Sequence, residues 1–267
     1  MSDQEVDTKA AEAYESALVP GLFGPWAEEI VASAGIAAGM RVLDLACGTG
    51  VATRYAAPFC APGGVVTGVD IDAGMLEIAR AGALEKNIVA EFRSGSANEL
   101  PIQSASIDVA LCLQGLQFFP VRSKAFAELL RVIKPSGKLV ATTWSSIENC
   151  KGYWAMVSAL EARGIDAAPA RKPFSFSDPA ELRKQAEQAG FRHVTVRTEQ
   201  RLADFPSAKA FVDAIAQGAP SSRYALAKVP QESWPTYLSE VDVALAQWKS
   251  GSRLLFPMES NVLKAVR

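Results

Sequence analysis

The run Arg41-Val42-Leu43-Asp44-Leu45-Ala46-Cys47-Gly48-Thr49-Gly50 constrains this chain more than any other. It is apolar with a single acid, passes into two glycines separated by one residue, and leads at Val51 into a helix-like segment. That order reads as strand, tight turn, helix. In a parallel α/β sheet such a turn lies at the carboxyl end of the strand. Glycine there lets a ligand approach bare backbone, and the following helix offers free N–H groups. A small-molecule cofactor is the first expectation. Glycine spacing alone does not establish it, since any strand-to-helix turn can use glycine.

The segments after this turn repeat the pattern. Strands are expected at 41–46, 65–70, 88–93, 107–113 and 138–144, with helices from 51, at 73–84 and at 122–133, and a turn at Lys134-Pro135-Ser136-Gly137. Short, near-continuous apolar strands joined by helices predict an α/β fold, with a doubly wound, mostly parallel sheet covered on both faces. Two helices are expected before it, at 8–18 (ended by Pro20-Gly21) and 25–34. Beyond 145 the pattern is helix at 151–163, a loop at 167–178, helix from Asp178 to Gly190, strand from Phe191 to Thr198, helices at 206–217 and 231–248, and a last strand from Met258 to Val266. The sheet therefore has seven strands. A single domain over 1–267 is expected: N-terminal helices in 1–40, a cofactor-binding core in 41–145, helical cap insertions in 146–175 and 200–255, and the last strand in 256–267.

The 267 residues carry a net charge of −2 with basic and acidic residues interspersed, which disfavours a nucleic-acid partner. Cys47, Cys60, Cys112 and Cys150 form no CxxC pair, a pattern of reduced thiols more than of disulfides or a metal site. The acidic stretch Met1–Asp7 does not resemble a signal peptide, and no apolar run reaches the ~18 residues of a membrane span. A cytoplasmic location without membrane insertion is expected.

Charge selects the cofactor. Asp70 ends the second strand, 20 residues beyond Gly50, where a carboxylate accepts the hydroxyls of an adenosine ribose. Asp72 is the better candidate for a helix cap. Asp44, buried in the strand under the turn, would repel a pyrophosphate but suits a cofactor bearing ammonium and sulfonium groups. Thr53 also stands where a dinucleotide fold packs Gly or Ala.

The segments VLDLACGTG (42–50), GVDIDAGMLEIA (68–79), GSANELPI (95–102), SIDVALCLQGLQFFP (106–120) and LLRVIKPSGKLV (129–140) resemble class I S-adenosylmethionine-dependent methyltransferases, especially the ubiquinone and menaquinone biosynthesis branch. The resemblance implies a Rossmann-like fold, S-adenosyl-L-methionine as cofactor and a role for each matching residue. Gly48 and Gly50 would pass beneath the methionine and ribose, with Ala46 in place of the commoner first glycine. Asp44 would hold the amino group, and Asp70 the ribose. Ile71 and Met75 would sandwich the adenine, and Ser96 and Ala97 would meet its edge, Ser96 standing where Asp is common. Leu113 to Phe119 would face the methyl group, with Leu116, Phe118 or Phe119 as alternative core residues.

Gln114 and Gln117 are expected at the cofactor or substrate, because a buried amide needs partners. The LQGLQFF segment holds no His, Asp or Glu, and the one histidine, His193, reads as a surface residue. The acceptor is thus expected to be intrinsically nucleophilic, or oriented by Gln114, Gln117 or Tyr14. Some of Trp154, Phe174, Phe176, Phe205, Phe211, Tyr224, Trp234, Tyr237 and Trp248 are expected to line an apolar pocket for a small apolar or aromatic acceptor. The expected assembly is a monomer or homodimer, with a small-molecule acceptor and no metal. A nicotinamide-dependent oxidoreductase, or a cofactor-binding protein without turnover, are the alternatives.

Overall fold

A computed structural model describes residues 6–267; most of the acidic stretch Met1–Asp7 lies outside them. Five parallel strands form the body of the sheet: β1 (Arg41–Leu45), β2 (Val65–Asp70), β3 (Ala90–Ser94), β4 (Ile107–Leu113) and β5 (Ile133–Trp144). Two long antiparallel strands complete it, β6 (Arg192–Phe205) and β8 (Arg253–Val266), and the two-residue β7 (Lys249–Ser250) pairs with β8. The order is β3-β2-β1-β4-β5-β8-β6. It reverses between β1 and β4, and β1 sits centrally with Asp44 in register with Gly68 and Leu111. In open α/β sheets ligands bind outside the strands' carboxyl ends at such a reversal.

The helices are α1 (Lys9–Ala13), α2 (Gly24–Ala34), α3 (Val51–Cys60), α4 (Ala73–Glu85), α5 (Arg122–Val132), α6 (Lys151–Glu161), α7 (Ala168–Arg171), α8 (Pro179–Gln188), α9 (Ala208–Gly218), α10 (Ser222–Leu226) and α11 (Trp234–Ala244). The apolar stripe of α5, with Phe126 and Leu129 fully buried, packs on one face of the sheet, and α2 and α3 pack on the other. Helices α6, α7, α9, α10 and α11 build a separate apolar cluster that also takes in Leu18, Phe23, Trp26 and Trp144. No helix among the described residues is long and apolar enough to cross a membrane.

Several local expectations need correction. Pro20-Gly21 does not end the first helix. From Tyr14 to Phe23 the chain continues as a wider π-helical segment with Pro20 inside it. A π ladder joins each N–H to the carbonyl five residues back, as Gly24 N–H does to Val19, so a proline drops one bond of the ladder without stopping it. Lys134–Gly137 lies within β5, with Ser136 at φ 65°. The loop at 167–178 contains α7 and a 3₁₀ turn, Lys172–Phe174. Both antiparallel strands are longer than expected, so residues 200–205 and 253–255 belong to the sheet, not to the cap. Only residues 260–266 of β8 pair with β5, whereas β6 pairs with β8 from Leu254 to Val266 and β7 pairs at its start, so the first half of β8 forms with β6 a ribbon running up into the cap.

Candidate active site

The turn after β1 is held by two buried acids. Asp44 is 1% exposed at the centre of the sheet, and its Oδ2 accepts from Thr53 Oγ1 at 2.7 Å. Its Oδ1 has no partner among the described residues. Burial, only partly offset by the Thr53 hydrogen bonds, raises its pKa from 3.8 to about 7. An uncompensated carboxylate this deep is a poor neighbour for an anion and a good one for a cation. Thr53 is thus the hydroxyl that orients Asp44, a role that its reading as a merely missing glycine overlooks.

Asp70 ties two loops together. Its Oδ2 accepts from Gly48 N–H at 2.8 Å and its Oδ1 from Asp72 N–H at 2.9 Å. Burial raises its pKa, while those backbone N–H groups act in the opposite direction. Asp72 caps α4 by accepting from Met75 N–H at 2.9 Å, as expected. Ala46 and Gln114 end β1 and β4 with φ of 56° and 53°, a left-handed conformation that costs a non-glycine residue ~1–2 kcal/mol. Both line the same cavity. The pair is fitted closely: a Cβ on Gly115 would lie 2.7 Å from the Ala46 Cβ and 2.8 Å from Cys112 Sγ.

That cavity has a volume of about 440 Å³, within the ~300–1,000 Å³ of small-molecule sites. It crosses the carboxyl ends of β1, β2, β4 and β5. Toward β2 and β3 it is lined by Asp70, Ile71, Met75, Ser96 and Ala97; Ala46 and Gly48 line it at the turn. Toward β5 and the cap it is lined by Leu113, Gln114, Phe118, Trp144, Tyr153 and the segment Ala219–Ser221, and Tyr14, Leu18 and Phe23 close it from the N-terminal side.

Three expected site residues do not line it. Asp44 lies beneath the turn. Gly50, at φ 82°, is the N-cap of α3 and packs on Ala79 and Phe92, so its freedom serves the backbone turn. Gln117 is 2% exposed and stands behind Gln114: its Nε2 donates to Gln114 Oε1 at 3.2 Å, while Gln114 Nε2 donates to Ser260 Oγ at 2.8 Å. Leu116 is core, and both Phe118 and Phe119 reach the cavity.

The late aromatics need the largest correction, because none of the nine expected candidates lines the cavity; Trp144 and Tyr153 do. The signal for Tyr153 was present in the spacing Tyr153, Met156, Val157, Leu160, the buried stripe of α6, from which the neighbouring Trp154 points away, 38% exposed. Arg54 was also missed. It donates to the Thr49 carbonyl and to Glu15, each at 2.5 Å, pinning the N-terminal segment to the turn.

Comparison with known proteins adds a family to this geometry. Residues 43–141 match the methyltransferase domain family. The chain is 33% identical over 127 residues to a ubiquinone/menaquinone biosynthesis C-methyltransferase of Burkholderia vietnamiensis, covering 48% of this chain and 52% of that protein. It is 38% identical over 118 residues to a demethylmenaquinone methyltransferase of Lactococcus lactis, covering 43% and 46%. The chain thus spans about half the length of these relatives. The fold is similar to that of the YcgJ protein of Bacillus subtilis, with a TM-score of 0.60 at 17% identity, covering 90% of this chain and 97% of that one.

Proposed function

Since residues 43–141 match a methyltransferase domain family, we propose that the whole chain works as one unit that transfers a methyl group from S-adenosyl-L-methionine to a small, apolar or aromatic acceptor. The observation that carries this reading is the pair of acids at the turn. Asp70 braces the Gly48 turn where ribose hydroxyls would lie, and the buried Asp44 carboxylate beneath it, with Oδ1 unpartnered among the described residues, favours a cationic ligand over a pyrophosphate. The residues present fit the cofactor. Ile71, 76% exposed, and Met75 line the cavity and offer apolar area for adenine, and Ser96 and Ala97 offer contacts for its edge. Gly48, whose missing Cβ would meet nothing within 4 Å, leaves backbone open to the methionine portion.

Bound there, the cofactor supplies an electrophilic methyl group. The chain's own contribution is to position. Gln114, fixed by Ser260 and Gln117, presents its amide where the donor half meets the acceptor half, and Tyr14 faces the same space. Well-oriented reactants can gain effective molarities of ~10⁵–10⁸ M. Among the described residues, the ionisable acids and bases lining the cavity, apart from tyrosine, are Asp70 and Asp72 at the donor end. The acceptor therefore brings its own lone pair or electron-rich carbon. The Burkholderia vietnamiensis relative is a ubiquinone/menaquinone biosynthesis C-methyltransferase, which supports a ring-bearing acceptor.

Calorimetric titration with S-adenosylmethionine and with NAD tests this directly. We expect saturable binding of the first and none of the second, and label transfer from methyl-labelled cofactor into one compound of a metabolite extract. Binding of NAD alone would overturn the assignment in favour of an oxidoreductase.

A further inference from the structure

The acceptor half of the cavity contains two hydroxyls that methyl-donor binding does not use. Tyr153, on α6, is 3% exposed, and its ring is held edge-on by Phe174 at 5.1 Å and Phe211 at 5.8 Å. Tyr14 opens the π-helical segment, and its ring stacks on Phe23 at 4.9 Å. Both line the cavity, yet neither hydroxyl bonds to a protein group among the described residues, and neither is closed off from the cavity. Tyr237, 0% exposed, is the contrast to the buried Tyr153: its hydroxyl donates to the Met156 carbonyl at 3.0 Å. A phenol this deep ordinarily finds a partner. Here the partner has to come from within the cavity.

We infer that Tyr153, together with Tyr14, sets acceptor specificity by hydrogen-bonding one uncharged polar atom of the acceptor, and that the same wall rejects anionic acceptors. This inference rests on the methyl-transfer reading above. The aromatic packing fixes both rings before the acceptor arrives, so little side-chain freedom is lost on binding. Burial raises the pKa of both phenols, which stay neutral and serve as hydrogen-bonding groups, not bases. Among the described residues no Lys, Arg or His lines the cavity. A carboxylate or phosphate entering it would shed its water without gaining a counter-charge from the chain, and Asp70 and Asp72 would repel it.

Three probes that share a toluene ring separate these effects: p-cresol, toluene and p-toluate, titrated into the full chain saturated with S-adenosylhomocysteine and followed by ligand-observed NMR. We expect p-cresol to bind about fivefold more tightly than toluene, the worth of one net hydrogen bond, and p-toluate at least about tenfold more weakly than p-cresol. In Tyr153→Phe the p-cresol advantage should vanish while toluene affinity stays the same, and Tyr14→Phe should reduce the advantage in part. Tyr237→Phe, which removes a hydroxyl bonded elsewhere, should leave all three affinities unchanged. A p-cresol preference that survives in Tyr153→Phe, equal binding of p-cresol and toluene to the unaltered protein, or tight binding of p-toluate would each overturn the inference. Failure of S-adenosylhomocysteine to bind, measured separately by calorimetry, would instead overturn the methyl-transfer reading on which it depends.

Discussion

On the proposed reading, Asp44 couples cofactor binding to protons. In the ligand-free protein its pKa is about 7, against 3.8 for an ordinary aspartate. The folded state thus holds a proton that the unfolded chain releases between those values. Its contribution to stability is fully present below about pH 4 and is lost as pH rises through about 7. Asp70 shifts in the same direction, so comparison with Asp44→Asn isolates the first residue. The ligand-free melting temperature of the wild-type protein should fall more steeply from pH 4 to 7 than that of Asp44→Asn, as differential scanning calorimetry would record. A bound ammonium favours the charged carboxylate, so cofactor affinity should weaken by up to about tenfold per pH unit below 7 in the wild type and vary less in the variant. A flat wild-type profile would remove Asp44 from the binding account. The sequence made Asp44 legible as an acid in an apolar strand. It did not make legible the hydroxyl of Thr53, nine positions later, because only the first turn of α3 brings the two side chains together.

At the scale of elements, the N-terminal segment is fastened wherever it crosses the site. Glu15 pairs with Arg54, a Cβ on Gly21 would lie 2.8 Å from the Phe205 ring, and a Cβ on Gly218 would lie 2.8 Å from the Tyr14 backbone nitrogen and 2.9 Å from its Cα. Backbone cannot swing aside as a side-chain tip can. Gly218→Ala should therefore push the end of α9 away from Tyr14, at a cost of ~1–3 kcal/mol, and loosen the acceptor wall while the donor residues stay in place. Denaturant unfolding gives the first effect. Cofactor titration should give a dissociation constant within about twofold of wild type; a loss as large as that of acceptor binding would mean that this segment holds the donor too. The sequence read this element poorly. Pro20 and Gly21 look like a helix stop, and nothing local announces that a long-range contact with β6 and α9 will carry a π-helical ladder past them.

Across the whole molecule, β1, β2, β4 and the body of β5 were legible because each is an apolar run ended by a turn signal, and the cap helices were legible too, whereas the packing of the cap was not, because its helices are amphipathic toward one another. The buried side chains of α6 face α9, α11 and β8 instead of the central sheet. Two separate cores predict two thresholds of opening. In hydrogen exchange, α6, α9, α11 and the outer half of the β6–β8 ribbon should exchange together, at least about tenfold faster than β1 and β4, whose amides open only with the entire fold. Uniform protection across both regions would mean that cap and sheet unfold as one. The ribbon has a further consequence, for ancestry. The family match ends at residue 141, just before the chain leaves the parallel sheet, and Trp144, Tyr153 and Ala219–Ser221 all come from beyond it. On the proposed reading, a lineage can therefore exchange the upper half of the ribbon and the helices it carries, and with them the acceptor wall, without altering a residue of Arg41–Gly50. The two halves of the cavity are free to have separate histories.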